Sequence, residues 1–206
     1  MLNIFKKKLT IHQAVELILM FESELTKKMQ VPFDSLINLY DENISKETKI
    51  QCNWELWYLV NSCIRLMLIP NVDLKDNKDE LSSHYLAEFN KDLHTRHSEK
   101  WADYAVSQLD LRIQAYRLAW ISKELNSFTG IGSILQTTVS AIIETNDSTA
   151  AENRVIEYIH DQDSINNESA QFVLKIPGII AGPICVNIIN AVGNFCSQFS
   201  KDFKII

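Results

Sequence analysis

Glycine and proline are scarce here: the 206-residue chain holds five of one and four of the other. An all-β domain needs a turn about every 8–12 residues and usually places such residues there, so a strand-rich fold is excluded. Cys-x-x-Cys is also missing, which removes zinc ribbons and thioredoxin-like redox sites. A basic excess is lacking, with 20 Lys and Arg against 26 Asp and Glu and a net charge of -6. Nucleic acid is therefore not expected as a partner, because phosphate neutralisation supplies most non-specific affinity. Neither Gly-x-Ser-x-Gly, nor a P-loop, nor Gly-x-Gly-x-x-Gly occurs; Gly130 and Gly132 lack the third glycine.

What is present is apolar text at helical spacing. Hydrophobic residues make up 46% and charged residues 22%, enough apolar surface to offset the ordering entropy of a globular core. Thr10 and Gln13 form a capping box that opens a helix over about 11–29, with Ile11, Val15, Ile18, Phe21, Leu25 and Met29 as its stripe. Pro32 is expected to separate it from a short segment at 34–42. Ser45 opens a central helix that Pro70 should stop near 69; only Arg65 is charged between Leu56 and Ile69. After a polar loop at 71–80 come helices at about 80–96 and 99–125, the second capped by Ser98. Its stripe reads Ala102, Ala105, Leu109, Ile113, Tyr116 and Trp120. A break at Asn126–Gly132 precedes helices at about 133–145, 149–160, 168–176 and 183–200.

The expected fold is all-α, a single irregular helical bundle of about seven to nine helices in one domain, 1–206. Lobes at 1–125 and 133–206 are possible because charge thins out, with 12 of the 46 charged residues in 126–206. No repeat at a period of about 20–50 residues supports a solenoid.

Cys52, Cys63, Cys185 and Cys196 fall in two pairs, eleven residues apart in each. On a helix that spacing is about 16 Å, too far for a disulfide, so reduced, buried thiols are expected. Lys6, Lys7 and Lys8 precede a stretch interrupted by His12, Gln13 and Glu16 with no small-residue cleavage site, which reads as a cytoplasmic protein keeping its N-terminus. The sequons at Asn43, Asn146 and Asn167 then carry no glycan. The uncharged run 176–200 is long enough to cross a bilayer. Pro177, Gly178, Gly182 and Pro183 break it, however, and Asn187, Asn190, Asn194 and Gln198 form an amide stripe opposite Ile188, Val192 and Phe195. The stripe predicts an amphipathic helix and disfavours a membrane partner.

Candidate sites are few. His84, Glu88 and Asp92 step by four along one helix, and His94 and His97 follow; such spacing can align metal ligands. A di-iron bundle needs two Glu-x-x-His motifs, and only Glu157–His160 fits. The dipeptide His160-Asp161 resembles the core of the HD-type metal-dependent phosphohydrolases. That resemblance implies an all-helical hydrolase in which His94 or His97 would be the upstream ligand and Asp163 or Asp202 the downstream one. Arg65, bordered at helical spacing by Trp54, Tyr58 and Asn61, is a candidate anchor for an acidic group, since an unpaired buried guanidinium is costly. Trp101, Tyr104, Arg112, Tyr116, Arg117 and Trp120 enrich one helix in residue types common at binding hot spots. Three functional classes follow in order: a protein-protein interaction or regulatory module, a metal-dependent hydrolase, and a peripheral membrane-active protein. No cofactor and no particular small molecule is expected; the partner is a protein or a second copy of the chain.

Overall fold

A computed structural model describes residues 6–40, 44–72, 78–121, 127–163 and 181–206. The fold is all-α, with seven helices among the described residues and one two-stranded parallel sheet. That sheet pairs β1 (Lys7–Leu9) with β2 (Phe203–Ile205), Lys7 opposite Phe203, so the segment before α1 lies beside the one that follows the last helix.

Helix α1 (Ile11–Tyr40) begins as the capping box requires. The Thr10 N–H donates to Gln13 Oε1 at 3.0 Å and the Gln13 N–H to Thr10 Oγ1 at 3.3 Å. It does not end before Pro32, which lies inside it. The reason is tertiary: Leu25, Met29, Phe33, Leu36 and Ile37 are all buried along one continuous stripe. The carbonyl that loses its partner belongs to Lys28 on the exposed side, where water can satisfy it.

Ser45 caps α2, accepting the Thr48 N–H at 3.1 Å. Its α-helical part, Lys46–Cys63, continues through a π-helical stretch, Ile64–Leu68, into a last turn, Ile69–Asn71. Pro70 therefore sits within the helix instead of stopping it. Proline offers no N–H and crowds the carbonyl four residues back; widening the ladder just before it, with the Ile69 N–H bonded to the Ile64 carbonyl, accommodates that ring. As expected, this helix is central: Leu56, Leu59, Val60, Ile64 and Leu68 are fully buried, and it packs against α1 and four later helices.

Helices α3 (Lys78–Arg96), α4 (Glu99–Ile121), α5 (Ser127–Thr145), α6 (Ser148–Asp163) and α7 (Gly182–Asp202) complete the bundle. The helix expected at 168–176 lies outside the described residues. The break expected through Gly132 does not occur, because α5 starts at Ser127 and contains both glycines. A Cβ on Gly130 would stand 3.2 Å from the Ala119 Cβ; glycine there lets α5 approach α4 closely. The α4 stripe is also rotated from its expected course. Ala102, Ala105, Leu109, Tyr116 and Ala119 are buried with Arg112 among them, while Ile113 is half-buried and Trp120 exposed. On α7, Ile188 and Val192 are buried, Phe195 is half-buried and stacks on Phe21 at 4.0 Å, and Asn187, Asn190, Asn194 and Gln198 are exposed. The buried apolar side chains form one contiguous cluster from Leu9 to Phe199.

Candidate functional site

Two polar clusters are buried in this core. In the first, Arg112 of α4 meets Glu55 of α2: Nη2 donates to Oε1 at 2.7 Å and Nε to Oε2 at 3.2 Å. Nη1 donates to Gln108 at 2.6 Å, and the guanidinium lies 5.3 Å from the Tyr58 ring centre. All four residues are buried. Burial opposes the cation, yet the Glu55 carboxylate beside it raises the Arg112 pKa above its ordinary value. The pair locks α2 to α4.

The second cluster joins α1, α2 and α3 and does border open space. Glu22 of α1 is 7% exposed. Its Oε1 accepts from Asn61 Nδ2 at 2.9 Å and its Oε2 from the Tyr85 hydroxyl at 3.0 Å; that hydroxyl lies 3.2 Å from Asn61 Oδ1. Burial pushes the Glu22 carboxyl above its usual range and the neighbouring Asp92 adds to this, while the bonds from Asn61 and Tyr85 and the charge of Arg65 act the other way. No Lys, Arg or His nitrogen forms an ion pair with Glu22 among the described residues.

Above Glu22, α1, α2 and α3 enclose a groove of about 810 Å³, within the size range of ligand sites. One face of α1 lines it at each turn with Leu19, Ser23, Thr26 and Gln30; Ile50, Asn53, Trp54 and Trp57 come from α2, Phe89, Asp92 and Arg96 from α3, and His97 follows α3. Trp57 stacks on Phe89 at 5.3 Å and meets Trp54 edge-on at 5.2 Å, so the indoles brace one another as a rigid wall. Met20 and Ile50 on the rim are 59% and 50% exposed. Gln30 ties α1 to α2 through Asn53 at 2.8 Å. The buried Thr26 Oγ1 has no hydrogen-bond partner among the described residues. Rim charges pair with each other, Lys91 with Glu88 at 3.2 Å and Arg96 with Asp92 at 2.9 Å.

The residues singled out from sequence are scattered about this groove. His97 lines it, packed 4.4 Å from the Trp101 ring, which in turn lies 4.3 Å from Trp54. Tyr104 is exposed on α4, and Tyr58 is buried under Arg112. Arg65 sits over the Phe89 ring at 4.9 Å and donates to Asp110 at 3.3 Å, while its buried Nε and Nη2 have no hydrogen-bond partner among the described residues. His84 is bonded to the Glu80 carbonyl and Glu88 to Lys91. His94 lies between the Asn90 carbonyl and Asp103, which raise its pKa above the ordinary value in that order. His160 is exposed at the end of α6; the Asp161 side chain lies outside the described residues.

Among the described residues no group of three or more His, Cys, Asp or Glu side chains is placed to hold a metal ion, and no helix is long and apolar enough to cross a membrane. The cysteines are free; burial raises the Cys52 and Cys63 thiols to about 12 and moves Cys185 upward as well. Glu22 and Tyr85 escaped the sequence reading, and Asn61 entered it only as a neighbour of Arg65, since residues 39 and 24 positions apart show no spacing signal. The only available hint was Glu22 following Phe21 on the apolar stripe of α1, where an acid has to find donors. Comparison with protein-family models, with curated proteins and with solved structures finds no match to this chain, so its function rests on the groove itself.

Proposed function

We propose that this chain is a cytoplasmic protein-protein interaction module whose partner lays an amphipathic segment into the groove between α1, α2 and α3. The observation that carries the reading is an 810 Å³ groove with a braced Trp54–Trp57–Phe89 wall and exposed Met20 and Ile50 at its lip. Apolar side chains of a helix at i, i+3 and i+4 would fill such a wall, and the alternating Glu88, Lys91, Asp92 and Arg96 on the rim would pair with its polar edge. Bracing keeps the wall formed before binding, which lowers the ordering cost of association. Free, buried thiols support a reducing compartment. Among the described residues no group of three His, Cys, Asp or Glu side chains supports the hydrolase; His84 and His94 are bonded to backbone carbonyls of their own helix and His160 is exposed.

A photo-reactive residue replacing Ile50 tests this in cells, with matched placements at Tyr104 and Asn190. The expected result is one discrete protein adduct from position 50, whose cross-linked peptide is amphipathic and binds the purified chain. A second copy captured from position 190, with nothing from position 50, would move the interface to the amide face of α7 and overturn the assignment.

A further inference from the structure

Met20, Glu24, Lys27 and Val31 are all exposed on α1 and follow one another at steps of four, three and four residues. That alternation traces the seam along which two helices pair. Its outer positions are large apolar side chains, 59% exposed at Met20 and 73% at Val31. Met20 and Lys27 also line the groove, so the seam runs along its mouth. The two charges at the centre of the seam are unmatched within the chain. Among the described residues the only ion pair on α1 joins His12 to Glu16 at 3.3 Å, which leaves Glu24 and Lys27 without an opposite charge. The rim charges of α3 differ in this respect, for Lys91 pairs with Glu88 and Arg96 with Asp92.

The seam is complementary to itself. Turned end over end about a twofold axis level with the Leu25–Thr26 peptide, the four-three-four spacing maps onto itself: Met20 meets Val31 of the second copy, Glu24 meets its Lys27, and each contact occurs twice. In the same register Glu16 falls opposite Ser35, Lys28 opposite Ser23 and Asp34 opposite Leu17, so no like charges meet. A parallel pair would instead set Glu24 on Glu24 and Lys27 on Lys27. We infer that the occupant of the groove mouth is a second copy of this chain, whose α1 lies antiparallel along α1 of the first. This rests on the groove reading above and names its partner. Reciprocal opposite charges fix the register and reject the parallel alternative, while Met20 and Val31 supply the apolar area that drives contact.

Sedimentation equilibrium of the purified chain tests the pairing. The wild type should form dimers and nothing larger, because a twofold contact closes on itself. Glu24→Lys alone and Lys27→Glu alone each bring like charges together twice per dimer, and each should weaken association at least about tenfold. Both positions are exposed, so helix content by circular dichroism should be unchanged. Mixing the two variants should restore the wild-type affinity, since one chain then sets two lysines against two glutamates of the other. Contact through any other face predicts no such rescue. A strict monomer at every concentration would overturn the second copy and leave the groove to a different protein. Dimers that survive both single changes, or variants that mixing does not rescue, would overturn the α1 pairing. Rescue by mixing together with a dimer indifferent to Ile50→Asp would keep the α1 pair and overturn the groove reading.

Discussion

Removing Arg112 should be among the most damaging single changes in this fold, and the magnitude can be worked from its surroundings. Arg112→Met keeps most of the stem but deletes two bonds to Glu55, at 2.7 and 3.2 Å, and one to Gln108 at 2.6 Å. The larger effect is on what stays behind, because Glu55 is 2% exposed and its carboxylate is left without a counter-charge. Breaking a buried pair in this way costs about 3–5 kcal/mol. For a chain of this size that is a drop of roughly 6–20 °C in Tm. Replacing both partners, as Glu55→Leu with Arg112→Met, removes the stranded charge and should recover most of the loss, since apolar pairs of similar volume are often neutral or better. Urea unfolding followed by tryptophan fluorescence gives the three free energies. A loss below about 1 kcal/mol in the single variant, or a double variant as unstable as the single one, would refute the argument that the uncompensated charge dominates.

Three further outcomes follow from the same structure. Glu22 holds its proton more tightly when folded, so its contribution is fully present below the ordinary carboxylate range and is lost as pH rises through the raised value. Glu22→Gln should accordingly gain stability relative to wild type as pH rises above the ordinary carboxylate range, measured by Tm against pH, and a widening deficit would contradict it. Gly193 of α7 has open space where a Cβ would go, whereas Gly130 has Ala119 at 3.2 Å; Gly193→Ala should therefore stabilise by up to about 1 kcal/mol and Gly130→Val destabilise by about 1–3 kcal/mol. Native-state alkylation at pH 8 should modify the half-buried Cys196 first and spare Cys52, Cys63 and Cys185, which are buried and whose thiols burial holds protonated; rapid labelling of all four by mass spectrometry would show that the core is open.

The fold class and the helix starts were legible because caps and stripes are local: the Thr10–Gln13 box and the Ser45 cap both form as read. What misled was punctuation. Pro32, Pro70 and Gly130 each looked like a break, and each is absorbed into a helix, by stripe burial, by a π-helical stretch and by close packing on Ala119 respectively. The stripe of α4 failed differently, for a periodicity argument assigns Arg112 to the surface unless it knows that Glu55 waits across the interface. The groove was legible only in fragments. Trp54, Asn61 and His97 were noted for other reasons, and Trp101 proves to brace Trp54 at the groove's end. Their meeting with Glu22 and Tyr85 depends on how α1, α2 and α3 pack, which no spacing within one helix encodes.

The most direct measurement is the affinity of the partner peptide recovered by cross-linking from position 50, compared across three variants of the purified chain. Met20→Asp and Ile50→Asp place a charge on exposed groove residues, while Tyr104→Asp does so on α4 outside it. The account predicts that either groove variant weakens binding by at least about tenfold, or ~1.4 kcal/mol, with the wild-type Tm retained and with Tyr104→Asp within about twofold of wild type. Wild-type affinity in both groove variants, or a loss confined to Tyr104→Asp, would contradict it.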